Sequence, residues 1–277
     1  MRVVTTIAEM RAFRRDMPGD VGFVATLGYL HAGHLSLVRA ARAGNAHVVV
    51  SIFVNPTQFD APADFERYPR DPQRDLALLR EEQVDVVFMP SADEMYPEGA
   101  STFVDVEGIT EVLEGAHRPG HFRGVVTIVA KLLNIVRPAR AYFGRKDAQQ
   151  LVVINRMVRD LRLDAEIVAM PTVREADGLA MSSRNALLSA REREAALVLS
   201  RALRAAEGLF AAGVRDGERL RAAMRDLIGQ EALARVDYVS VADSETLREL
   251  DRIEASALAS LAVRIGDVRL IDNVTLE

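Results

Sequence analysis

Cysteine and tryptophan are both absent from the 277 residues. The first absence excludes disulfides, thiolate metal sites and a thiol nucleophile. The second, with aromatic residues at only 5%, counts against the stacking platform that single-stranded nucleic acid requires. An excess of positive charge is missing too: 35 basic and 40 acidic side chains leave a net charge of -5, so no global basic field points to nucleic acid. Long apolar runs are also lacking. The most apolar stretches, Val48–Val54 and Val125–Val136, are shorter than a membrane span, and Lys131 interrupts the second. The opening MRVVTTIAEMRAF carries charges where a secretory signal needs an apolar run. A soluble cytoplasmic protein is expected, with no membrane or nucleic-acid partner.

What is present supports a sizeable core, since hydrophobic residues make up 49% of the chain. The length suits one large domain or two unequal ones. Strand-like runs alternate with helical ones: Val21–Thr26, then Leu35–Ala43; Val48–Val54, then Asp71–Gln83; Val84–Met89, then Val125–Val136; Ala141–Phe143, then Ala148–Leu161; and finally Glu166–Met170. This alternation predicts an α/β fold, a Rossmann-like doubly wound parallel sheet that binds ligands beyond the carboxyl ends of its strands. The pattern changes after about Val173. One long helix over Ala190–Ala212, a second over Asp216–Gln230, and strands at Asp237–Ala242, Leu261–Ile265 and Val268–Ile271 predict a smaller C-terminal α+β domain. The expected division is a nucleotide-binding and catalytic domain at 1–175 and a smaller domain at 176–277 that closes over the site.

Four loops carry the candidate chemistry. In TLGYLHAGH (26–34), Gly28 permits a turn after a strand and Gly33 permits close approach. His31 and His34 lie at the start of a helix, where free N–H groups favour an anion. A bare H-x-x-H equally suits a plain turn, and zinc would need a third ligand, which His117 or His121 supplies on paper. Asn55 and Gln58 in NPTQF offer uncharged donors and acceptors for a hydroxyl or carboxylate. FGRKDAQQ (143–150) puts Lys146 at a helix start, where it resembles a phosphate-binding cation, and Asp147 either caps that helix or holds a ribose hydroxyl. In MSSR (181–184), two hydroxyls and an arginine suit a triphosphate.

Together and in this order, the loops resemble those of the pantothenate synthetases, the pantoate–β-alanine ligase family of the nucleotidylyltransferase superfamily. The most specific pieces are L-H-x-G-H at 30–34, V-S-I-F-V-N-P-T-Q-F at 50–59, Y-P-R at 68–70, R-P-G-H-F-R-G-V at 118–125, K-D-x-Q-Q at 146–150 and P-T-V-R-E-x-D-G-L-A-M-S-S-R-N at 171–185. The resemblance runs on to the closing LIDNVTLE, so it covers nearly the whole chain. It implies an ATP- and Mg²⁺-dependent ligase that joins pantoate to β-alanine through a pantoyl adenylate, and a homodimer. It implies catalytic roles for His34 (as acid), His31 and Lys146. ATP would meet Leu27, Gly28, His31, Gly33, His34, Gly144, Arg145, Lys146, Asp147, Val173, Met181, Ser182, Ser183 and Arg184. Pantoate would meet Gln58, Gln150 and Asn55. No metal ligand comes from the chain, since Mg²⁺ would ride mainly on ATP oxygens.

Several site positions depart from the family pattern. Ala25 and Leu27 stand in A-T-L-G where the family usually has P-T-M-G. Arg145 and Ala148 stand in G-R-K-D-A-Q-Q where it has G-E-K-D-Y-Q-Q, and Asp60 replaces a glycine. They raise the expectation of an altered site with a different acid or amine. A weak nucleotide-binding relative of the same fold is the other alternative.

Overall fold

The computed structural model describes residues 1–59 and 62–277. Its larger sheet has six parallel strands: β1 (Arg2–Val4), β2 (Val21–Thr26), β3 (His47–Ile52), β4 (Val86–Phe88), β5 (Arg140–Gly144) and β6 (Glu166–Met170), in spatial order β1-β4-β3-β2-β5-β6. Between them run α1 (Ile7–Arg15), α2 (Ala32–Gly44), α3 (Pro62–Arg67), α4 (Pro72–Glu81), α5 (Ala92–Met95), α6 (Glu114–His117), α7 (His121–Val136) and α8 (Ala148–Asp160).

The period-2 alternation of strands assigns the two faces. On β3, Val49 joins Met10 of α1, the apolar stripe of α7 and Val153 of α8 in one core cluster. Its neighbours Val48 and Val50 pack with Leu35 and Val38 of α2 and Leu79 of α4 in another. All three valines are fully buried, as a strand covered on both faces requires. The sheet is therefore doubly wound, as the sequence predicts. The chain adds strands on one side of β2, then crosses to place β5 on the other. The loops after β2 and β5 thus flank the point where strand order reverses, the usual crevice for a ligand in such sheets.

The second sheet is antiparallel: β7 (Ala234–Ala242), β8 (Ala257–Ile265) and β9 (Val268–Leu276), in that order. It packs against α9 (Ala190–Ala195), α10 (Leu197–Ala211) and α11 (Gly217–Gly229) around its own apolar cluster. The single helix expected over Ala190–Ala212 is in fact two. Ala196, at ψ -19, tightens the turn between α9 and α10, and no proline or glycine marks it in the sequence. The N-terminal pair β1 and α1 is an addition to the expected elements, although a capping box announces α1: Glu9 N–H donates to Thr6 Oγ1 at 3.2 Å, and Thr6 N–H donates to Glu9 Oε2 at 3.0 Å.

An ion pair joins the smaller sheet to α6 of the larger layer, and a second braces it from within. Arg269 on β9 donates to both carboxylate oxygens of Glu114 in α6, at 2.6 and 2.8 Å, and to Asp237 of β7 at 2.6 Å. Among the described residues, no helix is long and apolar enough to cross a membrane.

Helix α7 also sets a loop of the site. At Gly124, an added Cβ would lie 2.4 Å from the Thr57 carbonyl oxygen and 2.8 Å from Gln58 N. Both are backbone atoms, which cannot swing aside. Gly124→Ala should therefore push the 55–59 loop off α7, with a stability loss of about 1–3 kcal/mol for the overpacking. Chemical denaturation reads the loss, and an unchanged midpoint would show that the loop has slack.

Candidate active site

Two consecutive residues with positive φ, Gly28 at 84° and Tyr29 at 52°, turn the chain out of β2. Tyr29 tolerates this because Asp75, projecting from α4, holds its backbone. The Asp75 carboxylate is 1% exposed and accepts the N–H groups of Tyr29 and Leu30, each at 2.7 Å. At Gly28 a Cβ would lie 3.0 Å from Ile52 Cγ2 and 3.1 Å from Asp75 Oδ2, so glycine serves both the turn and the packing. Thr26 completes the corner: its hydroxyl donates to the Ser51 carbonyl at 2.8 Å and accepts Gly28 N–H at 3.2 Å.

The turn delivers two histidines whose protons are fixed by the backbone. His31 Nδ1 accepts the Gly33 N–H at 3.1 Å, and His34 Nδ1 accepts the His31 N–H at 3.3 Å. A nitrogen that accepts cannot carry the proton of a neutral ring, so both rings carry theirs on Nε2. The ring centroids are 4.0 Å apart. Burial, with nearby Lys146 adding to it, pushes the His31 pKa down to about 4. Burial, then the charge of His31, pushes His34 down to about 3. At neutral pH the pair is two uncharged N–H donors.

In the loop after β3, Asn55 has no exposed surface, and its amide is fully committed. Its Oδ1 accepts from Thr57 N, Thr57 Oγ1 and Tyr96 Oη. Its Nδ2 donates to the Gly124 carbonyl and, at 3.1 Å, to Gln58 Oε1. Asn55 therefore spends its amide on its neighbours while bordering the cavity, and it leaves the NH₂ of Gln58 as the outward-facing donor. Arg118 and His121, the R-P-G-H motif, hold the same loop. The Gln58 carbonyl accepts from Arg118 Nη2 at 3.1 Å and from His121 Nδ1 at 2.8 Å. Because the carbonyl can only accept, His121 is protonated on Nδ1, and its Nε2 faces Arg118 Nη1 at 3.1 Å.

Lys146 and Asp147 lie in a short 3₁₀ turn between β5 and α8, with Lys146 Nζ 3.5 Å from Asp147 Oδ1. Asp147 makes no capping bond to α8, which leaves its carboxylate to the cleft. Burial works to raise its pKa, but Lys146 and then Arg184 overrule it and hold the group below the usual carboxylate range. Across the cleft, the Ser182 hydroxyl accepts the Arg184 N–H at 3.3 Å, and Ser183 faces Tyr68 Oη at 3.5 Å.

These groups enclose a cavity of about 240 Å³ bordered by Leu27, His31, Gly33, His34, Asn55, Gln58, Gly144, Lys146, Asp147, Gln150, Val173 and Met181–Arg184. A second cavity, of about 640 Å³, opens between the two sheets and shares Lys146, Asp147, Gln150 and Arg184 with the first. Of the residues expected at the site, Gly28 and Arg145 border neither. Gly28 shapes the turn from behind, and Arg145 is exposed, with its carbonyl accepting from Asn273 Nδ2. Ala25 borders the first cavity, whereas Ala148 borders only the second. The two positions therefore do not widen one space. Asp60 lies outside the described residues. No group of three or more His, Asp or Glu side chains among the described residues is placed to hold a metal ion. Asp75, which holds the turn that carries the histidines, is a residue that sequence reasoning misses; its local sign is a buried-side position on a helix that follows Y-P-R.

The family model described as pantoate-beta-alanine ligase matches residues 2–275. A relative called pantothenate synthetase from Roseiflexus castenholzii (strain DSM 13941 / HLO8) is 63% identical over 277 residues, covering 100% of both chains. The crystal structure of pantothenate synthetase from Thermus thermophilus superimposes with a TM-score of 0.95 at 50% identity, over 99% of each chain. Pantoate-beta-alanine ligase from Francisella tularensis, complexed with beta-gamma ATP and beta-alanine, gives 0.81 at 35% identity, over 99% of this chain and 97% of that one.

The lowered histidine pKa values fix a pH dependence. An unfolded histidine takes up its proton near pH 6.5, while these two resist until about 4 and 3. Between those values the unfolded chain binds more protons, so stability falls as pH drops. Thermal melts from pH 7 to 4 should show the decline. His31→Gln combined with His34→Gln should flatten it; an unchanged slope would place the titration elsewhere.

Proposed function

The chain belongs to the pantoate–β-alanine ligase family, and from that premise we infer that it joins pantoate to β-alanine using ATP. We propose two steps. The pantoate carboxylate attacks the α-phosphorus of ATP, forming pantoyl adenylate and releasing pyrophosphate. The β-alanine amine then attacks the acyl carbon, forming pantothenate and releasing AMP.

The first step needs charge neutralisation and alignment, not a protein nucleophile. His31 and His34 would supply two Nε2–H donors and Lys146 a positive charge to the triphosphate. Met181, Ser182, Ser183 and Arg184 would close over it, while Gly144 and Asp147 hold the ribose and Val173 flanks the adenine. Gln58 and Gln150 would orient pantoate, with Asn55 keeping the Gln58 amide turned toward it. The second step needs an adenylate shielded from water, which fits a cavity bordered by α7 and by the Met181–Arg184 loop. The chemistry of the donor set suits Mg²⁺ held through phosphate oxygens and water, since Asp147 is the one carboxylate among the described residues bordering the first cavity. Bound there, Mg²⁺ would neutralise phosphate charge.

The reading is carried by one observation: two backbone-locked neutral imidazoles, a lysine and the MSSR loop border the same cavity as the Gln58 amide. It extends to a division at 1–175 and 176–277, with the second part closing the site, and to a cytoplasmic location, where ATP is at hand. It extends also to a homodimer, which the resemblance to the family implies and which sedimentation velocity would test by mass.

Pyrophosphate release should require pantoate, and pantothenate should form only when β-alanine is added. Lys146→Ala should lower the pantoate-dependent rate by about 100-fold or more, as loss of a transition-state contact does. Pyrophosphate release indifferent to pantoate would sink this assignment.

A further inference from the structure

Two adjacent residues of β9, Asp272 and Asn273, hold both loops at the phosphate end of the cleft, although they belong to the other sheet. The Asn273 amide Nδ2 donates to the carbonyls of Arg145 at 3.0 Å and Lys146 at 2.7 Å. The Asp272 carboxylate accepts from Arg174 Nη1 at 2.7 Å and Nη2 at 3.0 Å, and Nη1 also donates to the Gly178 carbonyl at 3.0 Å. Arg174 bridges to Ala180 as an antiparallel pair, and Met181 N–H donates to the Val173 carbonyl at 2.9 Å. Fixing Arg174 therefore fixes the base of the loop that carries Met181–Arg184. Asp272 and Asn273 are 2% and 8% exposed, and Asp272 Oδ1 accepts the Asn273 N–H at 2.8 Å, so the pair is rigid.

We propose that Asp272 and Asn273 are a positioning pair for nucleotide binding: β9 sets the spacing between the Lys146 turn and the Met181–Arg184 loop. The inference rests on the ATP reading above. Lys146 has a long flexible stem, and its ammonium lies 3.5 Å from Asp147, a loose contact. Where that ammonium can reach is governed by its backbone, which Asn273 pins at two successive carbonyls. Asparagine suits this position because its NH₂ supplies two donors. An isosteric aspartate would set carboxylate oxygens against two carbonyl oxygens and drive the turn away. A mere strut would lower stability and leave ATP recognition alone; a positioning residue moves the kinetic constants for ATP.

The test is Asn273→Asp and Asn273→Ala, with Thr275→Ala, exposed on the same strand, as the control. Pantoate-dependent exchange of pyrophosphate into ATP gives KM for ATP and for pantoate separately, and thermal melts confirm folding at the assay temperature. Asn273→Asp should lower kcat/KM for ATP by about 100-fold, the scale of an ångström misplacement. Asn273→Ala should lower it less, and the KM for pantoate should stay unchanged in both. If the aspartate variant does not fold, the alanine variant decides by the same split. A folded variant with the parent's KM and kcat for ATP, or one that loses pantoate and ATP equally, overturns the inference. A parent that shows no exchange overturns the ATP reading and this inference with it.

Discussion

The site depends first on one buried carboxylate. Asp75 sits on α4, yet it satisfies the backbone of a left-handed turn 45 residues earlier. A tyrosine at positive φ is disfavoured, and two buried N–H groups without acceptors would each cost about 1–3 kcal/mol. The carboxylate removes that penalty and commits the chain to leave β2 at one angle. The first turn of α2 follows from that angle, and with it the two imidazoles. Their neutral state is a consequence of the same packing, because rings held down against the sheet end lack the water that would stabilise a charge.

Some motifs work on other motifs. R-P-G-H-F-R-G-V borders the first cavity through Arg118 and His121 and also shapes the loop after β3. Arg118 and His121 bond the Gln58 carbonyl, and Gly124 gives the loop room to lie against α7. Asn55 likewise spends its whole amide on neighbours. Gln58 thus presents its NH₂ because three separate parts of the chain leave it no other arrangement.

Much of this is legible in the sequence. Val21–Thr26 and Glu166–Met170 appear as strands with the bounds expected, because an apolar run closed by a glycine or proline turn has few other ways to fold. The resemblance also marks most of the residues that border the cavity. The rest is not legible, for two reasons. β1 has three residues and an exposed Val3, too little for a periodic signal. Asp75, Asp272 and Asn273 act on backbone groups or side chains far away in sequence, and backbone groups have no residue identity to read. Arg145 and Ala148 look like changes in the site because they adjoin Lys146. The 3₁₀ turn, however, ends at Asp147 and Ala148 opens α8, so Arg145 is exposed on the turn while Ala148 borders the second cavity.

The joint between the sheets is mixed. Leu258 of β8 lies in the apolar cluster of the larger sheet, while Arg269 of β9 pairs with Glu114 of α6 and Arg174 pairs with Asp272 of β9. Apolar burial has no preferred direction. A guanidinium and a carboxylate meet well in only one arrangement. Burial alone would let the two layers slide across each other; the ion pairs decide where they stop.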